Sequence, residues 1–340
     1  MALTRRSQQQ LHDLRGEIGE LADDAARQVE DTWSAAWDQV SPSWAAAATA
    51  AVAAAGIAGR WPSAWQMARL PQVASAALRT REAATQAAAV SAGHVTRAAQ
   101  DAITVTLTAE PEILAAQVKR AAAADFARGV SQAHAEQLQR QARQRVTAVT
   151  KPVGPDVAAG VEQALVRAPA DVTAERVAAR IQVVFQQGPQ RAIATAQTET
   201  LDAYRAASAY VHDVNAAQVT GWMWISSLDR SSCPACWSMH GTLHPLREWG
   251  PAGHVGCRCG RAAIVRDPGG SITPPDGLAL FRRMSGADQL RVLGPTRLQL
   301  LDDGDIDWLQ LAVRRDNDDW RPSYVPRTVA DLQRLAGVRT

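Results

Sequence analysis

The chain has 340 residues, enough for two or three domains with a sizeable core, and its formal net charge of +2 supplies no field that would mark a nucleic-acid or membrane binder. Alanine makes up much of the 46% hydrophobic fraction, so less apolar area is available for burial than that figure implies; eleven tryptophans against three Phe and three Tyr compensate. The opening MALTRRSQQQLHDLRGE is too polar for an export signal, so the four cysteines are expected to stay reduced.

Residues 5–40 read as a helix, with Leu11, Leu14, Ile18 and Leu21 at helical spacing and Ser41-Pro42 as its stop. Trp33, Trp37 and Trp44 fall at i, i+4 and i+11, a stripe read as helix-packing core in preference to a partner anchor. An alanine-rich helix follows from Trp44 to about Ala58; the apolar run there is about sixteen residues, short of the ~20 that span a bilayer, and is expected to pack within the protein. Helical patterning resumes from Pro62 to about Thr108, with breaks at Leu70-Pro71 and Gly93, and Pro111 opens another helix to about Val149. Arg140, Arg143 and Arg145 on that helix are read as a solvated face and not as a track for DNA. Lys119 and Lys151 are the only lysines, a bias assigned to base composition before phosphate recognition.

Lys151-Pro152-Val-Gly154-Pro155 reads as a linker and sets a boundary between an alanine-rich helical region, 1–150, and a second region, 151–268. The second opens with helices at about 156–167 and 173–187, the latter stopped by Gly188-Pro189, and continues with a longer helix over about 190–214. Glu199 on that helix is read as a carboxylate paired with an arginine, since no histidine, serine or second carboxylate stands at a telling distance. Asp229-Arg230 reads as a turn held by a local ion pair. The pattern then changes: Val219–Ile225 is rich in β-branched residues and tryptophan and predicts a strand, with Arg261–Val265 as its return. Gly269 to Pro275 is a connector into the third region, 269–340, where short helices are expected around Phe281, Leu290–Val292, Leu298–Leu301, Trp308–Val313 and Val329–Leu335. The fold class is therefore mainly α: a long helical N-terminal region, a small zinc-stabilised α+β domain and a short helical C-terminal region.

The densest chemistry lies between Gly221 and Cys259, which hold all four cysteines, three of seven histidines and four of eleven tryptophans. Cys233-Pro-Ala-Cys236 is followed, after seventeen residues, by His254-Val-Gly-Cys257-Arg-Cys259. Two residues between thiolates let both sulfurs reach one ion at about 2.3 Å, and a second pair completes a tetrahedron. Five candidates compete for four places. Cys233, Cys236, Cys257 and Cys259 are the first choice, with His254 replacing one of the last pair as the competitor, and His240 and His244 weaker; the metal expected is a structural Zn²⁺. Reduced thiols without metal and disulfides are the lesser readings. The knuckles would sit on loops of a small sheet, with Trp237 and Trp249 packed over the metal.

This stretch also resembles a known family. Trp222 and Trp224, Asp229-Arg230, Cys233-Pro-Ala-Cys236, His240-Gly241 and Pro251-Ala-Gly-His254-Val-Gly-Cys257-Arg-Cys259 are similar to the signature of the phage Mu F-like head morphogenesis proteins. Ala196-Gln-Thr198-Glu199 resembles the family's upstream Ala-Arg-Thr-Glu, with Gln197 in place of the usual arginine, and Val292-Leu-Gly294-Pro295-Thr-Arg297 with Gly304 and Ile306 its downstream motif. A second proline that often precedes the histidine is missing beside Pro251. The resemblance spans about residues 175–335 and implies a minor capsid protein of a tailed phage. It is expected in the virion, at the portal vertex or capsid interior, after synthesis in the host cytoplasm. The implied partners are portal or major capsid protein and packaged DNA non-specifically, with no membrane, and catalysis is not expected. The alternatives are a zinc-containing nuclease using His240, His244 or His254, and a DNA-binding module on the knuckles. The nuclease lacks an acidic metal cluster, and Arg247, Arg258 and Arg261 make a thin phosphate footprint for the DNA-binding module. A zinc deaminase is nearly excluded, because Ser232 precedes Cys233 and the His134-Ala-Glu136 triplet lies far upstream.

Overall fold

The computed structural model describes residues 3–118, 126, 130–169, 172–228, 232–266, 276–316 and 321–337. The chain is mainly helical and forms two compact units, each assembled from separated stretches. A helical unit takes Glu20–Gln100 and Arg140–Thr200; a cysteine-bearing unit takes Met1–Gly19, Asp101–Gln139 and Leu201–Thr340.

The helices in chain order begin with α1 (Arg5–Ala58), α2 (Ala64–Ala68), α3 (Pro71–Ala115), α4 (Gln132–Thr150), α5 (Val153–Val166) and α6 (Ala174–Val214). Three of them run through prolines that the sequence reading took as a stop or a start: Pro42 in α1, Pro111 in α3 and Pro189 in α6. An interior proline costs about 3 kcal/mol or more. Each is flanked by fully buried side chains: Val40 and Trp44, Ile113 and Leu114, Phe185 and Ala192. Burying a large apolar side chain is worth about 1.5–3 kcal/mol, so the pairs beside Pro42 and Pro111 offset the proline, and at Pro189 Phe185 supplies most of the compensation with a small addition from Ala192. Lys151 and Pro152, expected as a domain linker, form a turn between α4 and α5 inside the helical unit.

The core of the helical unit is built from small and very large side chains together. Ala47, Ala48, Ala51, Ala76 and Ala84 are fully buried, and between them sit Trp33 and Trp44, at 1% and 0% exposure. Each indole finds a polar partner: Trp33 Nε1 donates to Ser91 Oγ at 3.2 Å, and Trp44 Nε1 to Thr80 Oγ1 at 2.7 Å. Trp33 packs edge-on to Phe185 with centroids 5.7 Å apart, and Trp37 lies 5.3 Å from the same ring. The tryptophan stripe is thus core, as its spacing favoured. By length and composition alone α1 is apolar enough to cross a membrane, which the sixteen-residue run had argued against; Trp44, Ala47, Ala48 and Ala51 of that run lie in the unit's own core.

In the cysteine-bearing unit the expected strands appear as β1 (Val219–Ile225) and, further on, β3 (Gly260–Val265), joined by a strand the sequence did not show, β2 (Leu243–Pro245). The sheet order is β2-β1-β3, antiparallel throughout, with Trp222 opposite His244 on one side and Ala263 on the other. The six-residue helix α7 (Pro234–Met239) lies between β1 and β2 in the chain. After β3 come α8 (Gly277–Arg282), α9 (Gly286–Leu293) and α10 (Pro295–Asp302), then a 3-10 turn (Trp308–Leu311), β4 (Ala312–Arg315), β5 (Ser323–Pro326) and α11 (Val329–Leu335). The helix expected over Trp308–Val313 is therefore a turn leading into a β4–β5 hairpin pair. The connector at 269–275 and Asp229-Arg230 lie outside the described residues.

Candidate metal centre

Cys233 ends the stretch after β1 as the N-cap of α7, and Pro234 takes the first helical position, where its missing N–H costs nothing. The Cys236 N–H then points at Cys233 Sγ, 3.4 Å away, so one turn of helix brings the two sulfurs to 3.5 Å. The second knuckle is a tight turn: Cys257 N donates to His254 O at 3.0 Å, and Gly256 sits at φ +69°, a conformation that favours glycine. Gly253 is required for a different reason, since a Cβ there would collide with Cys257 Sγ.

These two pieces converge. His254 Nε2 lies 3.1 Å from Cys233 Sγ and 3.6 Å from Cys236 Sγ, and Cys236 Sγ lies 3.7 Å from Cys257 Sγ. Two overlapping groups, Cys233–Cys236–His254 and Cys236–Cys257–Cys259, each have all ligand atoms within 4.8 Å of one another, with Cys236 common to both. Ligands at ~2.3 Å around a tetrahedral ion are separated by about 3.8 Å, so the sulfur spacings fit a metal with little movement. His254 Nδ1 faces Val255 O at 2.8 Å, a hydrogen bond that leaves Nε2 as the coordinating atom. All four cysteines are free thiols, Cys236, Cys257 and Cys259 buried. The cluster could therefore hold a metal ion.

The electrostatics fit the same conclusion. Cys233 is held down at about 5, chiefly by a hydrogen bond from Cys236 with help from His254, and Cys257 is well below its ordinary range through bonds from Cys236 and Cys259. Cys236, surrounded by the other three sulfurs, is pushed up, and burial pushes Cys259 up to about 12. His254 rises to about 9, first through its bond to Cys233. The shifts run in opposite directions within one cluster, two thiols lowered and two raised, and an incoming divalent ion would displace the protons that remain on its ligands.

All five predicted ligands are thus brought together, and the two weaker candidates are not. His240 Nδ1 accepts from Ser226 N at 3.1 Å; His244 bridges Thr242 Oγ1 at 2.9 Å and Glu248 Oε1 at 3.1 Å, stacked on Trp222. The expected tryptophan roles are exchanged. Trp222 and Trp224 pack with Cys236, Cys257 and Cys259, whereas Trp237 packs on Phe281 and Trp249 is 40% exposed beneath the Arg321 guanidinium. Trp237 faces another way because consecutive residues on a helix are set about 100° apart, so it cannot share the side that Cys236 presents. Of the three arginines weighed as a phosphate footprint, Arg261 is 1% exposed and donates to His212 Nδ1 and to backbone carbonyls. Glu199, on the helical unit's part of α6, pairs with Arg145 at 3.3 Å, as its ordinary reading required.

Residues 156–262, about a third of the chain, match the family model described as phage Mu protein F like protein. This stretch is similar to the Mu F-like phage proteins. The match takes in Glu199, both knuckles and the sheet as far as Ala262, and suggests a role in phage head morphogenesis and association with the virion. The motif around Gly294 and Arg297 lies beyond the matched residues. No curated protein and no solved structure matches the chain.

The sequence did not reveal the residues that hold this centre in place. Asp202 and Arg205, one helical turn apart on α6, are 5% and 1% exposed, and Arg205 donates to the carbonyls of Cys257 and Cys259. Their only sequence signal was charge on a stretch of helix where Leu201, Ala203, Tyr204, Ala207 and Val211 leave almost no solvated face.

Proposed function

We propose that this protein is a structural minor capsid component of a tailed phage, acting in head assembly or DNA passage at the portal vertex or capsid interior. Its partners would be portal or major capsid protein, and it would catalyse no reaction. The metal would be zinc, bound by Cys233, Cys236, His254 and Cys257. The observation that carries the proposal is a partly buried thiol–imidazole cluster, two groups of three ligand atoms sharing Cys236, lying within the family match. Four protein ligands leave no coordination position for a water, so such an ion ties α7 to the loop before β3 and does no chemistry. His254 is favoured over Cys259 by its distances to Cys233 and Cys236 and by its oriented Nδ1. Cys259 Sγ instead rests against Ser226 Oγ at 3.2 Å.

Elemental analysis and X-ray absorption on protein purified without added metal test the centre. One zinc per chain with three sulfur and one nitrogen ligand is expected, retained in Cys259→Ser and lost in His254→Ala; below about 0.2 equivalents the zinc reading fails. Purified virions test the role. The protein should be present at a fixed ratio to portal, and phage carrying Cys233→Ser should yield fewer filled heads. Its absence from virions, or DNA cleavage abolished by His240→Ala with His244→Ala, would reverse the assignment.

A further inference from the structure

The loop that carries His254, Cys257 and Cys259 is held by a second set of bonds that uses no metal-ligating atom. Arg321 Nη1 donates to Gly253 O at 2.9 Å. Arg205 reaches Cys259 O through Nε at 3.0 Å and Nη2 at 2.9 Å, and Nη2 also bonds Cys257 O. Arg15 Nη2 donates to Arg258 O at 3.3 Å and to Ser227 Oγ at 3.0 Å. Tyr324 N donates to Ala252 O at 2.7 Å, and Gly253 pairs with Tyr324 as an isolated bridge. Five carbonyls between 252 and 259 are therefore satisfied from α1, α6 and the residues around β5. Asp202 organises the set: its carboxylate pairs with Arg205 Nη1 at 2.6 Å and takes a bidentate grip from Arg321 at 2.8–3.0 Å.

Planar guanidinium forks fix direction as well as distance, and Arg205 is fully buried, so its bonds are made in a medium where water does not compete. We infer that Asp202, Arg205 and Arg321, with Arg15, form a clamp that presets the metal loop: the protein is folded around an already shaped cage, and the ion enters it without being what folds it. This reverses the expectation for a small domain organised by zinc alone, which unfolds when the metal leaves. Asp202, Arg205 and Arg321 are positioning residues. They act on the ligands through backbone carbonyls and touch no ligand atom.

The capture half of this inference rests on the metal reading; the loop-order half does not. Hydrogen exchange on the full chain after chelation reads loop order directly. The amides of Cys257 and Tyr324, which donate to His254 O and Ala252 O, should exchange at least about a hundredfold slower than in an unstructured chain. Free-chain rates without metal that become slow on adding Zn²⁺ would overturn the clamp. Arg321→Met and Arg205→Met each leave Asp202 one arginine partner, and Arg321, only partly buried, is the milder change. Both should lose protection at these two amides in the chelated state and bind Zn²⁺ about ten- to a hundredfold more weakly in competition with a chelator, while the exposed Arg247→Met should match wild type. Unchanged protection and affinity in Arg321→Met would also overturn it. A protected loop in a chain that takes up no Zn²⁺ would uphold the clamp and sink the metal reading alone.

Discussion

At the scale of single residues, the protein separates the groups that could bind an ion from the groups that aim them. The ligands were legible because thiolates two residues apart obey a spacing rule set by the metal. The clamp was not, because Arg205 and Arg321 bond backbone carbonyls some 50 to 70 residues away in the chain, a contact with no periodicity and no complementary side chain. Two further histidines carry a consequence for acid stability. Burial and the nearby Arg15 lower His240 to about 4 against the opposing Asp276, and burial lowers His212 despite its contact with Glu110. Both depressions mean that the unfolded chain, with histidine near 6.5, binds protons first as pH falls. The stability they contribute is complete above about pH 6.5 and is lost on the way down, at most about 1.4 kcal/mol per pH unit for each. In chelated protein the urea midpoint should therefore drop between pH 7 and 5, and His240→Asn should flatten the slope; an equal slope in the variant would remove His240 as its source.

At the scale of elements, β1 and β3 were readable because tryptophan and β-branched residues pack on a sheet with almost no exposed face. β2 was hidden by its three-residue length and its proline, and β4 and β5 by arginines and a terminal proline. The long helices were misjudged at their prolines for a different reason: local propensity was weighed without the burial on either side. That burial makes a prediction. Trp44→Ala removes a fully buried indole and the donor to Thr80 Oγ1, so it should destabilise the helical unit by about 3–5 kcal/mol in urea titrations with an unchanged m-value. A loss under about 1 kcal/mol would mean that the stripe is not core and would reopen it as a docking face.

At the scale of the whole molecule, a cut at residue 150 would divide both units, because each takes residues from either side of it. A fragment of residues 1–150 should retain helix by circular dichroism yet melt without a cooperative transition, whereas the full chain should show one or two. A cooperative melt of the fragment would restore 1–150 as an independent domain.

The same interleaving has a consequence for how the chain emerges from a ribosome. The helical unit has all its residues once Thr200 is made, while Met1–Gly19 and Asp101–Gln139 still await partners that have not been translated. Cys259 is made 62 positions before Arg321. At about 5–20 residues per second, the nascent thiols spend several seconds without the arginine that closes Gly253, and for that interval their protection depends on chaperones, on the reducing cytosol or on early capture of an ion.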